Sequence, residues 1–175
     1  DAERRVALNI IGPHWDGNQV WFVLGGGAIF AAWPLVYATS FSAFYIVMLV
    51  LLWSMIVRPL GFEYRSHLPN PGWRNIWDWS LFVSGFIPML VFGAAVGNAL
   101  LGIPFYFDDR MVSYYTGNFI DLFNPYAILC GLVAVGLSMY KGGAILVIKS
   151  KDQHISQRAL REALVGGVLA LVLMT

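Results

Sequence analysis

The sequence predicts an all-α integral membrane protein, an antiparallel bundle of transmembrane helices with four complete spans and the start of a fifth. Three observations predict it. Of the 175 residues, 58% are hydrophobic and only 12% charged, where soluble domains carry about a quarter charged. The stretch 20–57 contains no Asp, Glu, Lys or Arg. Most of the remaining charges fall between apolar runs, with the basic ones sorted to one side.

As a single helix, the charge-free stretch would run roughly 57 Å at about 1.5 Å per residue, near twice a hydrocarbon core of about 30 Å. It must fold back. Pro34, in Ala31-Ala32-Trp33-Pro34-Leu35, is the natural place, because a proline removes a helical hydrogen bond and crowds the preceding turn. This gives a first helix over 14–33 and a second over 38–57. The next segment, 58–74, holds Arg58, Pro59, Gly61, Glu63, Arg65, Pro69, Pro71 and Gly72 and reads as a loop. A third span follows over 75–101. The segment 102–124, with Asp108, Asp109, Arg110 and Asp121, reads as a second loop. A fourth span covers 125–148, a short basic connection follows, and 161–175 begins a truncated fifth helix. Asp at position 1 and a final apolar run shorter than a span of about 20 residues lead us to expect an internal piece of a longer protein.

Charge sorting gives the orientation. Arg4 and Arg5, then Arg58, Arg65 and Arg74, then Lys141, Lys149, Lys151, Arg158 and Arg161 fall on one face of an alternating bundle, leaving Arg110 on the other. The positive-inside bias makes the basic face cytoplasmic. Seven Trp and eight Tyr suit aromatic belts at two interfaces, and Trp73, Trp77 and Trp79 read as interface anchors. Asp78 among them has Arg74 four residues earlier as a candidate partner.

Several functions are disfavoured. A net charge of +1 offers no electrostatic case for nucleic acid. The single Cys130 excludes an internal disulfide, and no Cys/His cluster suggests a structural metal. Of the three His, His14, His67 and His154, none sits mid-span where a haem ligand would be expected, so no cofactor is expected in this segment. Gly25-Gly26-Gly27 lacks the strand and Lys-Ser/Thr of a phosphate loop, and Gly93 with Gly97 suggests tight helix packing.

The unusual feature is the opening of the first helix, His14-Trp15-Asp16-Gly17-Asn18-Gln19-Val20-Trp21. Ionisable groups at membrane depth are costly and mark functional candidates. Asp16 and Gln19, three apart, share a helix face, while His14, Asn18 and Trp21 line the adjacent stripe. A partly desolvated carboxylate beside an amide can relay protons. It can equally cap a helix start and stay wet. The residues alone leave both readings open.

The segment Pro13-His14-Trp15-Asp16-Gly17-Asn18-Gln19-Val20-Trp21 resembles the hallmark of subunit II of the cytochrome bd-type quinol oxidases. The likeness continues through Phe30-Ala31-Ala32-Trp33-Pro34, Arg58-Pro59-Leu60-Gly61-Phe62-Glu63-Tyr64-Arg65, Trp73-Arg74-Asn75-Ile76-Trp77-Asp78-Trp79, Gly97-Asn98 and Tyr114-Tyr115-Thr116-Gly117-Asn118-Phe119. It covers essentially the whole chain. The resemblance implies a multi-pass subunit of the bacterial or archaeal cytoplasmic membrane. Its complex oxidises quinol and reduces oxygen to water. Haem b and haem d sit in the partner subunit I; a small accessory subunit, membrane lipid and a structural quinone are further partners it allows. It places Asp16 on a proton pathway and Trp21 along an oxygen route. Asn18 and Gln19 join the proton pathway on helix geometry alone. Two alternatives from other classes are a proton-coupled secondary transporter, disfavoured by the lack of an internal repeat, and a purely structural assembly subunit in which Asp16 only caps.

Overall fold

A computed structural model describes the backbone of residues 2–175, while the side chains of Ala2, Asp16 and Gln19 lie outside the described residues. Helix α1 (Ala2–Ala32) stops where the proline demands it. Trp33 leaves helical geometry at φ −136° and ψ 70°, and α2 (Pro34–Ala43) starts with Pro34 in its first position, where a missing N–H has no helical partner to lose. The chain then returns along α1. By Phe62 it has come back beside Trp15, with ring centroids 6.1 Å apart.

Helix α3 (Tyr45–Tyr64) continues α2 through a kink. Phe44 sits at φ −98° and ψ 21°, yet its N–H still donates to the Ser40 carbonyl at 2.9 Å and its own carbonyl accepts from Met48 at 2.8 Å. The second expected helix, 38–57, therefore lies within a bent α2–α3 pair. Phe44 is buried in a small core with Ala43, Val47 and Leu122, and that packing holds the bend.

The segment 58–74, expected as a loop, is mostly helical. Helix α3 passes through Pro59, α4 (Pro71–Leu101) begins at Pro71, and only 65–70 connects them. Pro59 removes one ladder bond without ending the helix, since helix stability comes mainly from tertiary packing; the adjacent Gly61 lies against Leu81 of α4. Pro71 starts a helix rather than breaking one, with the Asn70 side chain accepting from the Gly72 N–H at 2.9 Å. The Trp73 indole donates to the Tyr64 carbonyl at 2.8 Å, serving one of the orphan carbonyls at the end of α3.

The segment 102–124 is an ordered cap. Gly102, at φ +89°, ends α4. An antiparallel hairpin follows, β1 (Phe105–Phe107) on β2 (Ser113–Tyr115), then a 3-10 turn at Phe119–Phe123. Asn98 is buried in α4 and donates to the Leu122 carbonyl at 2.7 Å, while its own carbonyl accepts from the Asn124 side chain at 3.0 Å. Asn124 also caps α5 (Pro125–Lys149) through the Ala127 N–H at 2.7 Å. One buried amide thus ties the cap to two helices. Helix α6 (Gln153–Met174) is started by Asp152, whose carboxylate accepts from the His154 N–H at 2.9 Å.

Among the described residues, α3, α4 and α5 are long and apolar enough to cross a membrane. Small residues bring neighbours together. A Cβ on Gly93 would lie 2.5 Å from the Cys130 carbonyl oxygen of α5, and one on Gly143 2.7 Å from the Ala159 oxygen of α6. Without a hydrophobic drive between helices in lipid, such close contacts carry the association.

Gly93→Leu must therefore push α4 from α5, an overpacking cost of about 1–3 kcal/mol. Gly142→Ala, with open space around its Cβ, should leave stability unchanged or slightly raised. Thermal unfolding of the full-length protein in detergent checks the pair. Burial, and then the Asp121 carboxylate, push the Tyr115 phenol above its ordinary value. A raised phenol pKa adds stability below the unfolded value that is lost as pH climbs through the folded one. The cap should loosen in alkali above pH ~10, and Tyr115→Phe should remove that step from the stability–pH profile.

Candidate functional site

Ionisable groups from α1, α3, α4, α5 and α6 meet at the end of the bundle opposite the hairpin. At its centre is Asp78 in α4. Arg65, immediately after α3, reaches it with Nε at 2.5 Å and Nη2 at 3.2 Å, and the Arg65 side chain is only 1% exposed. Arg4 of α1 adds a third bond to the same carboxylate at 2.6 Å from a side chain 62% exposed. The turn at 65–70 folds Arg65 directly over Asp78, a partner that sequence spacing, which offered Arg74, does not reveal. A two-toothed guanidinium–carboxylate contact is a strong form of the ion pair.

Around this centre, Glu3 of α1 accepts from Arg158 of α6 at 2.5 Å and stands 3.3 Å from His154 Nδ1. Lys149, in the last turn of α5, bonds His14 Nε2 on α1. Each pair joins residues far apart in sequence, so the end of the bundle is stitched by charge. Arg110 lies apart, in the hairpin turn at the opposite end.

Helix α1 uses one face for its own chain. Trp15 packs on Phe62, and Phe22 stacks on Phe92 of α4 with centroids 5.2 Å apart. The stripe of His14, Asn18 and Trp21 is exposed, Trp21 to 69%. Asp16 and Gln19 belong to α1, and their side chains lie outside the described residues. The three tryptophans named as anchors divide. Trp73 and Trp77 sit in edge contact at 5.8 Å, and Trp77 stacks on Tyr64 at 6.0 Å, so both fill the α3–α4 junction. Trp79 is 62% exposed.

His14 lies within α1 by Lys149, His154 in the first turn of α6 by Glu3, and His67 in the 65–70 connection beside Tyr64. Among the described residues, no group of three His, Cys, Asp or Glu side chains forms a metal site. Two open grooves flank the α3–α4 pair. One, of ≈ 530 Å³, lies under α1 and is reached by Arg4, Arg58 and Asp78. The other, of ≈ 650 Å³, is apolar between Trp53 and Trp79, with Ser54, Ser80 and Ser84 along it.

Sequence reasoning singled out the α1 polar run but missed Arg65, Arg4 and Arg58 as site residues. Arginines near helix ends read as topology markers, and no spacing rule links positions 4, 65 and 78. The only available signal was Asp78 itself, an acid inside a span that needed a cation.

Residues 1–175 match the family model of cytochrome bd terminal oxidase subunit II. The chain is 48% identical over 172 residues to the probable cytochrome oxidase subunit 2 of Haemophilus influenzae, covering 98% of this chain and 45% of that protein. It is 49% identical over 160 residues to the cytochrome bd-I ubiquinol oxidase subunit 2 of Escherichia coli K12, covering 91% and 42%. With the cytochrome bd ubiquinol oxidase subunit 2 of Bacillus subtilis, identity is 33% over 174 residues, covering 99% and 50%. The chain spans about half the length of the curated relatives it matches.

Replacing Asp78 by Asn takes the countercharge from a buried guanidinium and should destabilise by about 3 kcal/mol. Arg4→Gln removes an exposed partner and should cost under about 1 kcal/mol. Unfolding midpoints of the two variants, compared in one detergent, test that ranking.

Proposed function

The chain belongs to the cytochrome bd terminal oxidase subunit II family, and from that membership we propose that it serves a membrane complex oxidising quinol and reducing oxygen to water. In this reading the chain holds no haem. Haem b and haem d reside in a partner subunit I, and this segment supplies part of the proton and oxygen routes. The complex lies in a bacterial or archaeal cytoplasmic membrane with its charged end on the cytoplasmic side.

Chemistry sets what this chain's residues must do. Reducing oxygen to water consumes protons, and a route through an apolar bundle needs titratable or hydrogen-bonding groups at membrane depth. Asp16 takes and releases the proton, with Asn18 and Gln19 as neutral hydrogen-bonding neighbours. Trp21 lines the path by which oxygen moves from lipid to the partner. The observation that carries the reading is the match over 1–175, which includes the polar run of α1. The exposed Asn18 and Trp21 support it, because polar and aromatic side chains left open by their own bundle are suited to meeting another subunit.

Asp16→Asn in the full-length complex should lower quinol-dependent oxygen consumption by roughly a hundredfold, the scale of a lost proton-transfer group, while the haem d absorption band stays in place. Unimpaired turnover and proton uptake would remove Asp16 from the route and leave the structural-subunit reading in its stead.

A further inference from the structure

Arg58 is a cation within a candidate membrane span, and among the described residues no carboxylate pairs with it. It lies in α3, half-buried, with Nη2 close against α4: a Cβ on Gly85 would sit 3.3 Å from it. No hydrogen bond or ion pair joins it to another described residue, and the nearby carboxylate, Asp78, is already shared by Arg65 and Arg4. A guanidinium at such depth is normally paired or open to a polar cavity. Arg58 opens into the ≈ 530 Å³ groove between α1, α3 and α4.

That groove is amphiphilic. Arg4, Asn75 and Asp78 stand at its charged mouth, Arg58 further in, and Leu8, Ile11 and Phe82 form its apolar wall. Two guanidinium groups against one carboxylate leave a net positive charge. From Asn75 to Phe82 the α4 wall rises about 10 Å at about 1.5 Å per residue. The volume is several times what one carboxylate side chain fills, since a single water takes only about 30 Å³. The space calls for an anion attached to an apolar body.

We propose that this groove binds an anionic phospholipid, its phosphate on the Arg58 and Arg4 guanidiniums and its acyl chains along Leu8, Ile11 and Phe82. Arginine suits the task because its planar donor fork matches phosphate oxygens. The groove opens at the end of the bundle where basic residues collect, the side that faces the leaflet rich in anionic lipid, and basic pockets between spans on that side hold such headgroups. The proposal depends on the membrane reading of the fold and is independent of oxidase activity.

The test uses the full-length protein in its complex, stripped of lipid in detergent, with unfolding followed as lipid is returned. Phosphatidylglycerol should raise the midpoint of the wild type, and phosphatidylcholine should not. Arg58→Gln should need at least tenfold more phosphatidylglycerol for the same shift. Ile11→Glu, which sets a carboxylate on the apolar wall while keeping Arg58, should lose the response in the same way. Equal responses to the two lipids, or an unchanged phosphatidylglycerol response in both variants, would overturn the proposal. So would an equal effect of inorganic phosphate alone. Release of the partner subunit from Arg58→Gln regardless of lipid would also overturn it, assigning Arg58 to a carboxylate of the complex.

Discussion

A charge taken out of water and into a helix bundle must find a countercharge or a polar cavity. In this chain the meeting of Arg65 and Asp78 satisfies that demand, and much of the architecture depends on it. Arg65 is 1% exposed, so its desolvation costs several kcal/mol unless its bonds are well made. Making them requires α3 to end where it does and 65–70 to turn tightly. It also requires α4 to begin early enough to carry Asp78 under the turn. Arg4 then joins the same carboxylate and draws the start of α1 to that end. The polar run of α1 is thereby set within reach of α5, where His14 meets Lys149.

The opposite end solves the same problem with neutral groups. Asn98 and Asn124 close the hairpin cap against α4 and α5 with amide–carbonyl bonds. A satisfied buried amide network adds rigidity without the desolvation of an ion. The bundle therefore has a charged end that several helices share and an opposite end sealed by the Asn98–Asn124 amide pair, where Arg110 is the one basic residue of 102–124. That asymmetry matches the sorting of its Lys and Arg residues.

The main features of the fold were legible in the sequence because they follow from length and breakers. A charge-free run too long for one span had to fold at Pro34, and the structure breaks there. The expected helices over 75–101 and 125–148 lie inside α4 and α5. Less legible was 58–74, because Pro and Gly serve both loops and helix starts: Pro71 proved to be the first residue of α4, with Asn70 as its cap. The hairpin in 102–124 was hidden for a related reason, since two three-residue strands leave almost no periodicity to read. At the candidate site, the polar run of α1 stood out as a local pattern, whereas Arg4, Arg65 and Arg58 gather only through folding. Position 4 and position 78 share no periodicity that a linear pattern could reveal.

Orientation links this architecture to the proposed role, because a proton intake at the charged end is useful only if that end faces the cytoplasm. The direct measurement is labelling with a membrane-impermeant maleimide in vesicles of known sidedness, with one cysteine at Ser66 in the 65–70 connection and another, in a separate variant, at Val112 in the hairpin. The account predicts that Ser66→Cys reacts only in inverted vesicles and Val112→Cys only in right-side-out ones. Reaction of both from the same side would contradict the antiparallel bundle, and the reverse pattern would put the charged end outside and contradict a cytoplasmic proton intake.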